Sequence, residues 1–364
     1  MKQSGVIIIA GVLAGSMAVA LYAGAGSEAA AFLKIDSGAR AAAMGGAYTA
    51  VGDDASSVFY NPAGAAFAVK NELMLSHGEW LAGLKHEHAA YLRPVSSRLT
   101  LFTGLTALIV PSLDKLDANG DKIGSFSAMD GAAGAGLALA LAGDLFGGLS
   151  AKTVYQQADG RKALAYALDL GLIKTYGDTV RLGLAAQNIG TSLKLYSGSF
   201  SLPRTYRGGA AYRVRGIAWL TAEGVKAGES DIVFAAGAEG EYPFSLKEKV
   251  FARLGCRVGS SRNAGAVISA GAGLRSNDLR IDYAFSPIGD LGDTHRISLT
   301  IEFGRDRDSV GLDRKVKSSY SGGKTPARTQ KRALPDKGRK PAAPVKRKKP
   351  ASSGSEDNQI NFVW

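Results

Sequence analysis

The chain has 364 residues, 46% of them hydrophobic and 47 of them glycine, so its composition excludes a wholly disordered protein. The formal net charge is +12, but residues 305–364 hold sixteen Lys/Arg and six Asp/Glu, a net of +10, which leaves +2 for residues 1–304. The basic charge therefore belongs to a tail and does not indicate a nucleic-acid-binding surface on the folded part. The single cysteine, Cys256, excludes an intramolecular disulfide bond.

Residues 1–25 have the layout of a secretory signal peptide. Lys2 precedes an apolar run from Val6 to Tyr22, and small residues follow at 23–25. We therefore predict export, with an N-terminal membrane anchor as the alternative. Beyond this run no apolar segment has the length of a transmembrane helix, so insertion into a membrane would require strands.

The next segment, residues 26–69, is predicted to be a plug inside a barrel. Its central part, 32–66, is rich in small residues, and its glycines break both the strand and the helix period. So long an aperiodic stretch is unusual as a connection in a compact domain. The plug either fills the barrel or acts as a gate that contacts substrate, and Arg40 is expected to pair with Asp53 or Asp54. The plug or gating candidates are Gly38, Arg40, Gly45, Gly46, Asp53, Asp54, Asn61 and Pro62.

Residues 70–304 break into segments of about ten residues that alternate apolar and polar side chains, which is typical of strands in a membrane barrel. In the last segment Ile297, Leu299 and Ile301 oppose polar neighbours. A soluble β-sandwich would also alternate, but export favours the barrel. We predict an all-β fold, a transmembrane antiparallel β-barrel of about 14 strands with an N-terminal lumenal plug segment. The candidate strands lie near 72–80, 85–93, 97–109, 131–142, 146–157, 163–175, 179–188, 205–214, 216–225, 231–242, 248–258, 264–275, 278–286 and 295–303.

Two longer connections, 110–130 and 189–204, are predicted to be extracellular loops. The first contains Asp117, Asn119 and Asp121, whose alternating oxygen side chains suit Ca²⁺, although a solvated turn explains them as well.

Other polar residues of the strands are candidate sites inside the barrel. Arg181, Arg253 and Arg257 are lumen candidates for binding an anion, or else partners of internal acids. The histidines at 77, 86 and 88 could share a metal, but their spacing fixes no third ligand. Because no nucleophile motif is present, we expect a protein that is not an enzyme and has no cofactor.

Residues 305–364 are predicted to form a disordered basic tail in the periplasm, because they have few large apolar residues. The cluster at 346–349 would bind an anionic periplasmic partner, and the apolar end at 360–364 could dock on a protein. Phe303, or else the terminal Phe362 and Trp364, would serve as the recognition signal for the barrel-assembly machinery. Nucleic acid is not expected as a partner.

The segment SGARAAAMGGAYTAVGDDASSVFYNPAGAA resembles the start of PorV/PorQ proteins, which belong to the wider group of FadL-like outer-membrane barrels. LPRTYRGGAAYR at 202–213 and PIGDLGDTHRISLTIEFG at 287–304 resemble later segments of the same family. The resemblance implies a fourteen-stranded barrel in the bacterial outer membrane, surrounded by lipid. It also implies one of two functions, a FadL-like conduit for hydrophobic ligands or a PorV-like accessory of type IX secretion that binds C-terminal signal domains of secreted proteins.

Overall fold

The structure, a computed structural model, describes residues 28–195, 198–245, 247–259, 266–287 and 292–307. The predicted signal peptide and the tail after residue 307 lie outside the described residues. No helix within those ranges is long and apolar enough to cross a membrane.

Fourteen antiparallel strands close into one barrel, which confirms the predicted fold class and strand number. Each strand pairs with its neighbours along the barrel, which closes where the first barrel strand pairs with the last, with Leu75 opposite Leu299. A separate short hairpin is inserted between the seventh and eighth barrel strands. The barrel strands are β1 (Asn71–Glu79), β2 (Lys85–Pro94), β3 (Leu99–Leu116), β4 (Lys122–Ala140), β5 (Leu145–Ala158), β6 (Arg161–Tyr176), β7 (Val180–Gly190), β10 (Thr205–Val214), β11 (Ala218–Ala227), β12 (Val233–Pro243), β13 (Glu248–Gly259), β14 (Val267–Ser276), β15 (Leu279–Pro287) and β16 (Asp293–Phe303), and the hairpin strands are β8 (Leu193–Leu195) and β9 (Gly198–Phe200).

The alternation along the strands places large apolar side chains on the outer face and mostly polar or small side chains on the inner face, which also carries a few buried apolar residues such as Leu92 and Ile173. In β16, Ile297 and Ile301 are exposed on the outside, whereas Ser298 and Thr300 are buried inside. Leu184 and Leu254, on other strands, are both more than 60% exposed on the outer face. Large apolar side chains that face outward around a closed barrel are the arrangement found where the surroundings are lipid.

The prediction of a loop at 110–130 is wrong, because β3 and β4 run through most of it. Leu113 pairs with Phe126 and Asp114 with Ser125, after a bulge beyond Val110. The hairpin therefore projects beyond β2, whose first residue pairs with Ile109. Glycine, serine and aspartate are poor strand formers, but cross-strand pairing along a hairpin outweighs that weak preference.

The inner segment, residues 28–70, passes through the barrel from one end to the other. We call the end with the connections after β2, β4, β6, β10, β12 and β14 the turn end, and the opposite end the loop end. At the loop end Glu28 bridges to Ser201 and accepts a hydrogen bond from the backbone N–H of Glu229. At the turn end the Lys70 ammonium lies 2.8 Å from the Asp278 carboxylate, in the connection between β14 and β15.

Short helices shape the inner segment, and two of them are begun by a side-chain cap. The α-helix α1 (Ala39–Ala43) is a single turn of small residues. The Asp54 carboxylate accepts a hydrogen bond from the N–H of Ser56 and begins a 3₁₀ helix at Ala55–Phe59. The Asn61 side chain caps the next 3₁₀ helix, Pro62–Phe67, whose first residue is proline and needs no hydrogen-bond acceptor.

The chain leaves β16 and returns to the inner segment at the turn end. The Arg307 guanidinium is 9% exposed and donates hydrogen bonds to the carbonyls of Ala66, Ala68 and Ser97. Packing therefore extends three residues beyond Gly304, where the predicted barrel ended.

The inner segment approaches the wall so closely at Gly45 that no side chain fits. Gly45 has φ +65°, and a Cβ placed on it would lie 2.9 Å from the backbone N and O atoms of Cys256. We predict that Gly45→Val sharply lowers the yield of folded barrel, because valine adds a strained left-handed conformation of about 1–2 kcal/mol to this overlap. The measurement is the fraction of heat-modifiable, fast-migrating protein on gels. Gly124→Val is the matched control, since a Cβ on Gly124 meets no atom within 4 Å, and equal yields for the two variants would contradict the prediction.

Candidate lumenal site

A closed ring of alternating arginines and carboxylates joins the inner segment to the barrel wall. Two members come from the inner segment and four from the inward faces of β12, β13 and β15. The ring runs Arg40, Glu239, Arg253, Asp282, Arg280, Asp54 and back to Arg40.

Arg40 holds the inner-segment side of this charge ring. Its Nε and Nη2 atoms both lie 2.7 Å from the Glu239 carboxylate, in a bidentate pair. Its Nη1 atom lies 2.7 Å from Asp53 and 3.0 Å from Asp54. The predicted pairing of Arg40 with the two aspartates is therefore present, and Glu239 is an additional partner.

On the wall side of the charge ring, one ion pair reaches across a whole strand, because that strand carries a glycine where the arginine passes over it. Arg253 on β13 lies 2.6 Å from Glu239 and 2.8 Å from Asp282, which is two strands away on β15. A Cβ on Gly273 of the intervening strand would lie 2.8 Å from the Nη1 atom of Arg253. Asp282 in turn lies 2.9 Å from Arg280. Both contacts of Asp282 are close ion pairs rather than aligned hydrogen bonds.

The electrostatics keep the aspartates of the inner segment ionised. Burial acts to raise the pKa of Asp54, but Arg280 and Arg40 more than offset it and hold that pKa below its usual range. For Asp53, burial is likewise outweighed by Arg40 and Arg181, so its pKa is also lowered.

Two further side chains fix the backbone of the inner segment. The Glu223 carboxylate accepts hydrogen bonds from the N–H groups of Tyr48 and Thr49, each at 2.8 Å. The Asn61 amide donates to the carbonyls of Thr49 and Leu172. A wall carboxylate and an inner-segment amide thus satisfy backbone groups of the inner segment that no regular secondary structure would pair.

The remaining plug candidates have backbone roles. Gly38 adopts φ +79° just before α1, and Gly46, with φ +77°, follows Gly45. Pro62 occupies the first position of its 3₁₀ helix.

The three arginines predicted as anion candidates each face a carboxylate. Arg181 pairs with Asp53, Arg257 pairs with Asp36, and Arg253 belongs to the charge ring. The structure therefore favours their alternative role as partners of internal acids. Sequence reasoning missed Glu223 and Glu239, whose signal is an acid at an inward position of an otherwise small and apolar strand.

A cavity of about 60 Å³ lies between the inner segment and the wall. One side is apolar and the other is polar, where a bulge turns both Gln187 and Asn188 inward. The apolar side includes Phe32, Leu33, Ile35, Val58, Phe59 and Phe102, and the polar side includes Ser150, Lys152, Asp169, Gln187, Asn188 and Arg207.

The histidines and the hairpin tip do not form a metal cluster. His86 and His88 face inward, but His77 faces outward and lies 2.7 Å from Glu87. Within the described ranges no group of three His, Cys, Asp or Glu side chains could hold a metal ion. At the hairpin tip the Asp117 carboxylate accepts hydrogen bonds from the N–H groups of Asn119 and Asp121, as in a solvated turn.

Comparisons with known proteins agree with this barrel. A model of the uncharacterised protein family UPF0164 matches residues 13–100, which is less than half of the chain. No curated protein matches the sequence.

Several solved structures share the fold. The toluene transporter TodX of P. putida is 13% identical with a TM-score of 0.54, over 74% of this chain and 99% of that one. The Ralstonia pickettii toluene transporter TbuX is 13% identical with a TM-score of 0.53, over 74% and 98%. A Pseudomonas aeruginosa FadL homologue is 12% identical with a TM-score of 0.52, over the same shares.

The charge ring predicts a large effect from removing one member. Arg40→Met is expected to destabilise the folded barrel by about 3–5 kcal/mol, because it leaves Glu239, Asp53 and Asp54 without their shared cation. The measurement is urea-induced unfolding in detergent micelles, followed by tryptophan fluorescence. Arg275→Gln is the control, since the Arg275 and Glu302 side chains are 35% and 24% exposed and their pair is worth about 0–1 kcal/mol.

The double variant Arg40→Met/Glu239→Gln tests whether the lost stability comes from coupled ion pairs or from independent losses of packing. It should lose less stability than the sum of its single variants, because both changes disrupt the same ion pair between Arg40 and Glu239. Strict additivity would show that the ring is not a coupled unit.

Proposed function

We propose that the protein is an outer-membrane conduit for small hydrophobic molecules and is not an enzyme. The lumenal cavity is the observation that carries this proposal, because its apolar half marks where an uncharged molecule could lie inside the barrel once the inner segment has moved. The fold supports it, since TodX and TbuX are toluene transporters with the same barrel.

The outer surface supports a membrane location for the barrel. Near the turn end the rings of Tyr91 and Phe303 stack with centroids 6.1 Å apart, and Tyr242 is 64% exposed. Toward the loop end Tyr206 and Phe234 are exposed on the outside. Aromatic side chains near both edges of an apolar outer face are typical of barrels that span a membrane.

The inner segment is proposed to act as the gate of this conduit. Sites for small molecules usually measure about 300–1,000 Å³, whereas the lumenal cavity is about 60 Å³. The inner segment must therefore shift before a molecule can pass, and the charge ring sets the free energy of that shift.

We predict that Ala132→Phe strongly lowers uptake of toluene by a bacterial host that makes the barrel. Ala132 lines the cavity from β4, so a phenyl ring there occupies the apolar half. The measurement is accumulation of radiolabelled toluene at equal amounts of folded barrel. Ala133→Phe is the matched control, because Ala133 is exposed on the outer face of the same strand.

Two results would refute the conduit. One is equal uptake by hosts with and without the barrel. The other is equal loss of uptake in the Ala132→Phe and Ala133→Phe variants, which would show that filling the lumenal cavity is not what lowers uptake.

A PorV-like role in protein secretion is the second proposal, and the β3–β4 hairpin favours it. β3 pairs with β2 only up to Ile109, and β4 pairs with β5 only from Ala128. In the described structure the hairpin beyond these points has two strand edges without a barrel neighbour. Such edges can accept an added strand from another protein.

We predict that shortening this hairpin, by replacing residues 112–127 with a two-residue Asn-Gly turn, abolishes co-purification of exported proteins in the native host. Toluene uptake should stay unchanged, because the removed residues lie outside the lumenal cavity. The measurement is affinity capture of the tagged barrel followed by mass spectrometry. An unchanged set of captured exported proteins would reject the hairpin as their binding site.

A further inference from the structure

The arginines on the inner wall follow a rule that Arg296 breaks. Every other buried or half-buried arginine on the inward face of a described barrel strand lies within 3.3 Å of a carboxylate. Arg296 on β16 is 5% exposed, yet it has neither a hydrogen bond nor an ion pair among the described residues, and its Nε atom is fully buried. The paired arginines are Arg181, Arg207, Arg213, Arg253, Arg257, Arg275 and Arg280.

The fold positions Arg296 as it positions Arg253, but among the described residues no acid lies within ion-pair distance of its guanidinium. The Arg296 side chain lies over Gly78 of the neighbouring strand, where a Cβ would be 3.1 Å from its Nε atom. Gly78 pairs with Arg296 on one side and with His86 on the other. Arg253 crosses Gly273 in the same way and meets the Asp282 carboxylate, whereas the crossing over Gly78 leads toward an imidazole.

The neighbours of Arg296 are already engaged with one another. His86 and His88 lie 3.3 Å apart through ring nitrogens, and Thr106 Oγ1 lies 2.8 Å from the Nδ1 atom of His88. Asp36 attracts Arg296 but is bonded to the Arg257 guanidinium at 2.5 Å. The ring of Trp80 lies 5.9 Å from the Arg296 guanidinium.

We propose that Arg296 is the centre of a binding site for an oxyanion on the loop-end side of the lumen. A buried cation without an anion is strongly unfavourable, so buried charges in proteins are paired. A guanidinium matches the two oxygens of a phosphate or a carboxylate, and Trp80 supplies an apolar wall for whatever carries them. The oxyanion is either a free inorganic ion or the head group of an amphiphile in the lumen.

The test is calorimetric titration of the purified barrel in neutral detergent with inorganic phosphate, hexyl phosphate and hexanol at constant ionic strength. Wild type should bind phosphate, and Arg296→Gln should weaken that binding about tenfold or more, the usual effect of losing a charge-assisted hydrogen bond. Arg275→Gln should bind like wild type. If hexyl phosphate and phosphate bind equally, the ligand is the free ion, and if hexyl phosphate binds more tightly, it is an amphiphile's head group.

Three outcomes would overturn the site. These are no binding of either phosphate by wild type, equal affinities for wild type and Arg296→Gln, and binding of hexanol that depends on Arg296 as strongly as that of hexyl phosphate. Should Arg296→Gln fail to fold, Arg296→Lys retains the charge, and an unchanged phosphate affinity in that variant would equally reject the guanidinium site. The titration does not depend on transport, so the test of the oxyanion site stays valid even if the proposed transport function is refuted.

Discussion

The structure depends on the charge ring that joins the inner segment to the wall. An outer face of large apolar side chains leaves the polar residues of each strand nowhere to point but inward. Inside a closed barrel these charges are stable only when each finds a counter-charge. The ring meets that condition with three arginines and three carboxylates. Two of these six groups, Arg40 and Asp54, come from the inner segment. The position of the inner segment and the pairing of the charges on the wall are therefore coupled, because moving the inner segment takes partners away from those charges.

Small residues make this pairing geometrically attainable. The inner segment can lie against the wall only where both sides lack side chains, as where Gly45 meets the backbone at Cys256. The arginines can reach across the wall only where the intervening strand carries glycine, as at Gly273. The glycines of this chain thus allow close contact between the inner segment and the wall more than they form turns. A β-strand that packs against another sheet would be weakened by so many glycines.

The sequence predicted the barrel well because its dominant signal is local. Alternation of apolar and polar side chains within ten residues decides which face of a strand meets lipid. It placed fourteen strands, most with errors of a few residues in their boundaries. It failed at 110–130, where Gly120 and Gly124 indicate a turn but the strands continue past the barrel edge. The pairing of Arg40 with Asp53 and Asp54 was also predictable, since the three lie within fifteen residues.

The partners from the wall could not be predicted in the same way. Glu239 meets Arg40 only through the register of β12 against a segment 199 residues earlier. Arg296 looks like any polar inward residue until the strand register places Gly78 beside it and His86 beyond it. Which charge is paired and which is left over is a property of the closed barrel rather than of any local pattern.

The same electrostatics constrain how the proposed conduit opens. A buried ion pair that loses one partner costs about 3–5 kcal/mol, whereas a hydrated pair is worth about 0–1 kcal/mol. The ion pairs of the ring therefore hold the inner segment strongly to the wall while the lumen is dry and only weakly once water reaches them. Asp53, at 30% exposure of its side chain, is the most hydrated carboxylate bound to Arg40. On the proposed gating, water reaches Asp53 first, and the contacts of Arg40 with Glu239 and Asp54, whose side chains are 5% and 4% exposed, are released later.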